Sequence, residues 1–275
     1  MILKTNADSH LRIKLFLVLV SVVFMFYCVS TVVENKYSNK KTAYLPDDTL
    51  INQTDTNNKN GSAENTGIKV IKPREVTVVI DPGHGGEDWG TYYKDIYEKD
   101  LNLDVSLKLG GLLQKSGVKV VYTREKDEFV GLRERSDIAN KLEADLFISI
   151  HHNKMPDNPY YKGTETLYCP SGNTAQDTMN GEKFAAIVQK ELVKTLGTID
   201  NGTIYRPNLS VLRHTKMPAV ISEIGYLSNS SDRDKITSPA FRQKAAEALS
   251  SAILKTLEKM EASKNTDGKW MLADG

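Results

Sequence analysis

Histidine and glutamate residues follow three runs of sequence that favour β-strands. His84 comes shortly after the apolar run 76–80, His151 directly after 145–150, and Glu223 directly after a shorter run of small and branched residues. In open α/β sheets, ligands bind at the edge formed by the carboxyl ends of the strands. The three side chains are therefore predicted to meet at one edge of a sheet, where they would suit a metal-dependent hydrolase.

Three residues are the proposed metal ligands: His84, Glu98 and His151. Zinc in hydrolytic sites commonly takes three protein ligands and leaves one position for water. Each residue alone has an ordinary interpretation. His84 could cap a turn, Glu98 could be a solvated surface acid, and His151 could be a buried, hydrogen-bonded histidine. Together, with glycines around the first of them, they favour a zinc site.

Glu223 is the proposed general base. A carboxylate beside a metal-bound water can take a proton from it and later protonate a leaving amine. Its apolar neighbours Val220, Ile221 and Ile224 indicate a desolvated position, which would raise its pKa. The alternative is a buried ion pair between Glu223 and a cation such as Arg213.

Several nearby polar and aromatic residues are weaker candidates. Asn153 could orient substrate and Arg213 could bind a carboxylate or carbonyl, although a turn residue and a structural ion pair are the alternatives. His152 points away from His151 if the strand continues, so it is a weaker ligand candidate. Aromatic residues that follow the histidine loop could stack on a sugar, although loop packing is the favoured interpretation: Trp89, Tyr92 and Tyr93.

Strand-like and helix-like segments alternate along most of the chain. The predicted strands span residues 76–80, 118–123, 145–150, 164–169, 210–212 and 219–222. The predicted helices span 100–115, 132–142, 181–196 and 239–260, the first of them capped by Asp100. This alternation predicts an α/β fold with a mostly parallel central sheet flanked by helices. It would form a single catalytic domain, residues 74–260, followed by a polar tail, 261–275, that is expected to fray.

The N-terminal part of the chain predicts a membrane anchor. Residues 15–33 are uncharged and mostly apolar, and as a helix they would span about 28 Å, close to the bilayer core. Lys4, Arg12 and Lys14 precede this stretch, which favours a cytoplasmic segment 1–14 and an exported remainder. An uncleaved signal anchor is favoured over a cleaved signal peptide, which would leave the protein secreted. Residues 34–72 are polar and predict a flexible linker.

Composition excludes some classes of function. The formal net charge is +1, with both signs mixed along the chain, so there is no basic face for a nucleic-acid partner. The two cysteines, Cys28 and Cys169, lie in very different segments, so a disulfide framework is not expected.

The order of several motifs resembles that in the zinc-dependent N-acetylmuramoyl-L-alanine amidases of the Amidase_3 family. The motifs are Asp81-Pro82-Gly83-His84-Gly85-Gly86, Glu98-Lys99-Asp100, Thr123-Arg124, Leu132 with Arg135, Ser149-Ile150-His151, Val211-Leu212-Arg213, Met217-Pro218-Ala219 and Glu223-Ile224-Gly225-Tyr226. The resemblance implies a substrate in peptidoglycan, with cleavage of the amide between the lactyl group of muramic acid and L-alanine. It implies zinc on His84, Glu98 and His151, with Glu223 as the catalytic acid and base.

The anchored, single-domain layout is most similar to the spore-cortex amidases of that family. This similarity implies removal of stem peptides before muramic-δ-lactam forms, together with a deacetylase, and hence a need for the protein in germination. Two positions depart from the family pattern: His152 replaces a smaller or apolar residue, and Asn201-Gly202 replaces an Arg-Gly pair. The alternatives are a zinc peptidase of carboxypeptidase type and an inactive module that binds peptidoglycan.

An extracytoplasmic accessory protein is a further hypothesis. Glu98 follows the segment 92–97, which has no clear secondary-structure pattern and suggests a mobile loop. Loops hold ligand geometry less well than helices and strands, so a partner that orders this loop would raise zinc affinity. The alternative is a preformed, tight metal site.

Overall fold

The computed structural model describes residues 73–169 and 179–273. Its strands are β1 (Arg74–Glu75), β2 (Thr77–Pro82), β3 (Tyr92–Tyr93), β4 (Ile96–Tyr97), β5 (Lys119–Tyr122), β6 (Leu146–Asn153), β7 (Thr164–Tyr168), β8 (Asp200–Tyr205), β9 (Ala219–Tyr226), β10 (Ser263–Lys264) and β11 (Trp270–Leu272). Its helices are α1 (Glu98–Lys115), α2 (Leu132–Lys141), α3 (Gly181–Leu196), α4 (Ser210–His214), α5 (Ser230–Ile236) and α6 (Pro239–Lys259).

Six strands form the central sheet in the order β5-β2-β6-β9-β7-β8. The first four are parallel, β7 runs antiparallel to β9, and β8 runs parallel to β7. The predicted α/β fold with a mostly parallel sheet flanked by helices is confirmed. The register sets up the site, because His151 lies opposite Glu223 across β6 and β9, and Glu223 lies opposite Glu165 across β9 and β7.

Helices cover both faces of this sheet. Val78 and Ile80 of β2 belong to the core that packs under α1, α3 and α6, whereas Val79 points into a second core under α2 and α4. Successive residues of a strand point to opposite faces. A strand buried on both faces therefore needs a continuous apolar run, which explains the sequence of β2.

Most predicted elements are present with shifted ends, but one is wrong. Residues 210–212, predicted as a strand, lie in helix α4. A run this short carries too little periodicity to separate helix from strand. Contacts with α2 fix the helix, where Asn140 Nδ2 donates to the carbonyl of His214 at 2.8 Å. The elements that were not predicted are β1, the hairpin β3–β4, strand β8, helix α5 and the short strands β10 and β11.

The expectation that the polar tail frays is also wrong for its described part. β11 pairs with β10 and with β1, which ties the end of the chain to the start of the domain. Trp270 anchors this small sheet: its side chain is 8% exposed, and its Nε1 donates to the carbonyl of Ser116 at 3.0 Å. One buried indole outweighs the polar character of the surrounding residues.

Trp270→Ala should therefore destabilise the domain. Truncation of a buried tryptophan typically costs about 3–5 kcal/mol, because the side chain loses its contacts and leaves a cavity. We expect a loss of about 3 kcal/mol in the free energy of unfolding, measured by urea denaturation. Tyr160→Ala is the control, because that side chain is 86% exposed. A change for Trp270→Ala as small as that of the control would contradict the packing role.

The predicted cytoplasmic segment, anchor and linker, residues 1–72, lie outside the described residues. Within 73–169 and 179–273, no helix has the length and apolar character needed to cross a bilayer.

Candidate metal centre and catalytic residues

A buried charge network holds the loop that carries His84. The carboxylate of Asp81, at the end of β2, accepts hydrogen bonds from Thr123 Oγ1 (2.5 Å), Ser149 Oγ (2.7 Å) and Arg135 Nη1 (2.7 Å). Arg135 also donates to the carbonyl of His84 at 2.8 Å. A buried carboxylate is stable only when it is paired in this way. These motif residues therefore build the scaffold of the loop.

Two glycines in this region are required by close approach. A Cβ atom added to Gly83 would lie 2.2 Å from Nε2 of His151. At Gly90, with φ of +66°, an added Cβ would lie 2.6 Å from both Glu98 Oε2 and His84 Cδ2. His84 itself adopts φ of 62°, a left-handed conformation that is uncommon outside glycine and often marks functional sites.

His84, Glu98 and His151 come together as predicted. One donor atom from each lies within 4.8 Å of the other two. Glu98 Oε1 is 3.3 Å from His84 Nε2 and 2.9 Å from His151 Nδ1. The other nitrogen of His84, Nδ1, is 2.8 Å from Asp88 Oδ2, which fixes the ring. Two imidazole nitrogens and a carboxylate, facing one another, form a donor set that fits zinc.

Glu98 is held by its surroundings, and the segment before it has the regular secondary structure that its sequence did not indicate. Residues 92–97 form the hairpin β3–β4, in which Tyr92 pairs with Tyr97. Glu98 is the first residue of α1 and is 4% exposed. Its carboxylate accepts hydrogen bonds from the backbone N–H of Thr91 (2.8 Å) and of His152 (3.2 Å). Glu98 is thus held by a hairpin on one side and a helix on the other.

The charges in the cluster favour an ionised Glu98. Burial alone would raise the pKa of this carboxyl, but His151 and His84 outweigh burial and hold the pKa well below its usual range. Burial likewise lowers the pKa of His84, but Glu98 and Asp88 outweigh it, so that the pKa of His84 lies above its ordinary value. An anionic ligand next to two imidazoles is the arrangement that attracts a divalent cation.

Glu223 lies beside this cluster without belonging to it. It faces the site from β9, its side chain is buried, and Oε2 has no hydrogen-bond partner. Burial, together with Glu98 and Glu165, raises its pKa well above the ordinary value. Arg213 is exposed on α4, and the described contacts of Glu223 include no ion pair with it. The geometry therefore favours a reactive carboxylate over a paired one.

Glu165 is a further buried carboxylate beside Glu223, and it was not predicted from the sequence. It is 5% exposed on β7, directly opposite Glu223 in the register. Its Oε1 accepts a hydrogen bond at 2.8 Å from Nδ2 of Asn153, which also lies 3.3 Å from the hydroxyl of Tyr226. Its position in the sequence could have revealed it, because an acidic residue within the predicted strand 164–169 stands where a buried position would favour an apolar side chain.

With fold and site geometry defined, comparison with known proteins identifies the family. Residues 78–255 match the family Amidase_3, described as N-acetylmuramoyl-L-alanine amidase. The chain belongs to the Amidase_3 family. The predicted enzyme class is thereby confirmed: the protein is an N-acetylmuramoyl-L-alanine amidase that acts on peptidoglycan. The carboxypeptidase and the inactive binding module are not supported.

Two relatives illustrate the extent of the match. LytC of Bacillus subtilis, an N-acetylmuramoyl-L-alanine amidase, is 36% identical over 173 residues, which is 63% of this chain but only 34% of LytC. The catalytic domain of the amidase CwlV from Bacillus (Paenibacillus) polymyxa var. colistinus superposes with a TM-score of 0.62 and 34% identity, covering 66% of this chain and 98% of that domain.

The expectation that the spore-cortex amidases are the most similar members is not supported. The structure of CwlD from Clostridioides difficile, in complex with the GerS lipoprotein, has a TM-score of 0.60 and 30% identity, covering 66% of this chain and 98% of CwlD. These values do not exceed those for CwlV. CwlD is one of several structural neighbours of this chain.

The side chains of two other predicted residues do not belong to the metal cluster of this amidase. His152 is buried on the opposite side of β6 from His151; its Nδ1 is 2.8 Å from Asn102 Oδ1, and burial lowers its pKa to about 4. It is not one of the three clustered ligands. Arg213 lies on α4 rather than at a strand end.

A cleft of about 160 Å³ opens beside the metal cluster of the amidase. The residues that line it include His84 and His151 together with the apolar side chains of Phe129, Leu132 and Val211. Phe129 and Leu132 remain 55% and 62% exposed. The cleft gives a substrate direct access to the proposed ligands along an apolar wall.

Glu165→Gln should change the pH dependence of the amidase. A general base must be ionised to act, and a neighbouring carboxylate raises its pKa by repulsion. Glutamine keeps the acceptor for Asn153 but removes the charge opposite Glu223. The pKa of Glu223 should fall, so that the acidic limb of the kcat/KM profile shifts to lower pH. An unchanged limb, or one shifted to higher pH, would exclude Glu165 from tuning Glu223.

Proposed function

We propose that this amidase is zinc-dependent, with His84, Glu98 and His151 as the metal ligands and Glu223 as the catalytic acid and base. The proposal rests on one observation, the three-donor cluster beside a buried and unpaired carboxylate on the next strand. The substrate bond is the amide between the lactyl group of muramic acid and L-alanine. Zinc, when bound, would polarise the amide carbonyl and lower the pKa of a water molecule.

The chain's own residues supply the proton transfers. Glu223, ionised at the start, takes a proton from the attacking water and delivers it to the amide nitrogen, which leaves as the amine of L-alanine. A raised pKa suits this carboxyl to both steps, since it must hold the proton between them. Asp88 keeps the ring of His84 in place through the 2.8 Å contact at Nδ1.

The residues proposed for substrate binding take different parts. The side-chain amide of Asn153 donates a hydrogen bond to the carboxylate of Glu165. We therefore propose that Asn153 affects the substrate indirectly, by fixing the position of that carboxylate. Arg213 is exposed and carries a fixed positive charge, which suits a carboxylate of the acidic stem peptide.

Digestion of intact peptidoglycan tests the chemistry. We expect mass spectrometry to find free stem peptides that begin with the amine of L-alanine, together with glycan strands that carry bare lactyl carboxyls. Metal analysis of the same preparation should find about one zinc per chain. Trimming of peptides from their C-terminal end would instead indicate a carboxypeptidase, and binding without release would indicate an inactive module.

We further propose a role in the spore cortex, with the amidase held at the membrane by residues 15–33 and assisted by an extracytoplasmic protein. The support is the apolar stretch 15–33 and the similarity to CwlD, which has been solved with a lipoprotein. The ordered position of Glu98 removes the original reason for expecting a partner to complete the metal site. Expression in a sporulating strain that lacks its cortex amidase tests the role. Restored muramic-δ-lactam supports it, and cortex without the lactam rejects it.

A further inference from the structure

Three aromatic side chains form an exposed cluster next to the metal site: Trp89, Tyr92 and Tyr97, here called the aromatic platform. The distance between ring centroids is 6.1 Å for Trp89 and Tyr92, 5.4 Å for Trp89 and Tyr97, and 6.3 Å for the two tyrosines. Trp89 is 49% exposed and Tyr92 is 57% exposed. The three rings contact one another, while about half of the surface of Trp89 and of Tyr92 stays in solvent.

The platform is attached to the loop that surrounds the ligands. Trp89 follows Asp88, which holds His84, and precedes Gly90, whose backbone is packed against both His84 and Glu98. Consecutive Cα atoms are about 3.8 Å apart. Trp89 therefore lies between two residues that contact the metal cluster, and the platform begins beside that cluster.

Loop packing does not account for the whole aromatic segment. Tyr93 shows what packing looks like here: the guanidinium of Arg233 lies 3.6 Å from its ring centroid, and Arg233 is bonded in turn to the carbonyl of Leu227. Tyr93 thus ties the hairpin to α5. Trp89 and Tyr92 contact each other and Tyr97, and much of their surface remains available to a ligand.

We propose that Trp89 and Tyr92 form a subsite that stacks against an N-acetylhexosamine ring of the glycan strand. This inference rests on the proposed function, because only the short lactyl ether separates the scissile carbonyl from the muramic acid ring. An amide bound at the metal cluster brings its sugar close to this loop. The C–H faces of a pyranose carry partial positive charge, which complements the negative face of an aromatic ring. The aromatic rings of the platform carry no charge, and neither does the sugar ring proposed to bind there.

The subsite would contribute to binding along the glycan and not to the chemical step. Aromatic rings offer contact area with few rotatable bonds, so little entropy is lost when a ligand binds. The contacts in the platform already hold the rings in place. Loss of either ring should therefore raise KM for intact peptidoglycan and leave kcat nearly unchanged.

Binding of tetra-N-acetylchitotetraose to the full-length protein tests the subsite directly. This oligosaccharide has no muramoyl amide, so the result is independent of hydrolysis and remains valid if the proposed mechanism fails. By calorimetry, Trp89→Ala and Tyr92→Ala should each bind at least tenfold more weakly, a difference of about 1.4 kcal/mol. Trp89→Phe keeps an aromatic ring and should retain most of the affinity.

Tyr205→Ala is the matched control. Tyr205 is 52% exposed and lies on β8 opposite Tyr168 of β7. Tyr168 in turn lies opposite Val220 of β9, and Val220 precedes Glu223 by three residues. It is therefore roughly 10 Å below the site along the strands. The control should bind as the wild type does, and equal melting temperatures should exclude unfolding. Absence of binding by the wild type at millimolar oligosaccharide, or unchanged binding by Trp89→Ala and Tyr92→Ala, would overturn the proposal.

Fluorescence locates the bound sugar. The chain has two tryptophans, Trp89 and Trp270, so Trp270→Phe leaves Trp89 as the sole tryptophan. Addition of the tetrasaccharide to this variant should change the intensity or wavelength of its emission. A calorimetric binding signal with no change in Trp89 emission would place the sugar elsewhere and reject the platform as its site.

Discussion

The Glu223→Gln variant is expected to hydrolyse peptidoglycan ~10²–10⁴-fold more slowly than the wild type, the usual cost of losing a general base. Glutamine has nearly the same shape as glutamate, but its amide cannot take a proton from water or return one to the leaving amine. Because Glu223 is outside the cluster formed by His84, Glu98 and His151, the variant should still bind metal. The free energy of unfolding of the variant should change little or increase. The substitution removes a buried carboxyl group whose pKa is strongly raised, so its charged form is unfavourable in the folded protein.

Three measurements on Glu223→Gln decide the matter. Turnover is followed by release of free stem peptides, metal content by elemental analysis, and folding by thermal melting. Glu165→Gln is the matched control, because it makes the same chemical change at the directly opposite position of β7. It should keep most of the turnover at neutral pH. Near-normal rates in Glu223→Gln would remove Glu223 from the mechanism, and loss of bound metal would assign it a different role.

The cluster of proposed ligands could be predicted from sequence because each residue follows a recognisable local pattern. His84 sits in a glycine-rich turn after an apolar run, and His151 ends another such run. Parallel strands bring their carboxyl ends to one edge, so the pattern that identifies the strands also indicates which residues meet. Glu98 differs from the two histidines, because it reaches the site from the first turn of helix α1 and not from the end of a strand. The resemblance to the family assigned it more securely than its spacing did.

The remaining features depend on contacts between distant parts of the chain. Glu165 is significant only because β7 pairs antiparallel with β9, and local sequence does not specify that pairing. The tail is ordered because Trp270 packs where Ser116 and β1 can receive it. The hairpin β3–β4 lacks a standard turn sequence: Lys94 takes the positive φ of 52° that glycine or asparagine would usually supply. Tertiary packing overrides local preference in each case.

Removal of either histidine proposed as a metal ligand should have the broadest effect on this protein. His84→Ala and His151→Ala are each expected to lose bound zinc and peptidoglycan hydrolysis together, because two remaining ligands do not complete a three-ligand hydrolytic site. The fold should persist, since the two cores under the helices, where Val78 and Val79 are buried, do not depend on the metal cluster. Unfolding should therefore remain cooperative in both variants, as followed by circular dichroism.

A graded series separates ligands from the residues that support them. Asp88→Asn keeps both imidazoles but weakens the anchor at His84 Nδ1, and loss of such a supporting contact typically costs 10–100-fold in metal affinity or activity. His214→Ala is the control, because that histidine lies on α4, outside the cluster, with its Nδ1 3.1 Å from Ser210 Oγ. Competition with a zinc chelator measures zinc affinity. His214→Ala should bind zinc as tightly as the wild type, Asp88→Asn more weakly, and His84→Ala and His151→Ala most weakly. Stoichiometric zinc in either of the last two would overturn the ligand assignment, because a side chain that can be deleted without loss of the metal does not hold it.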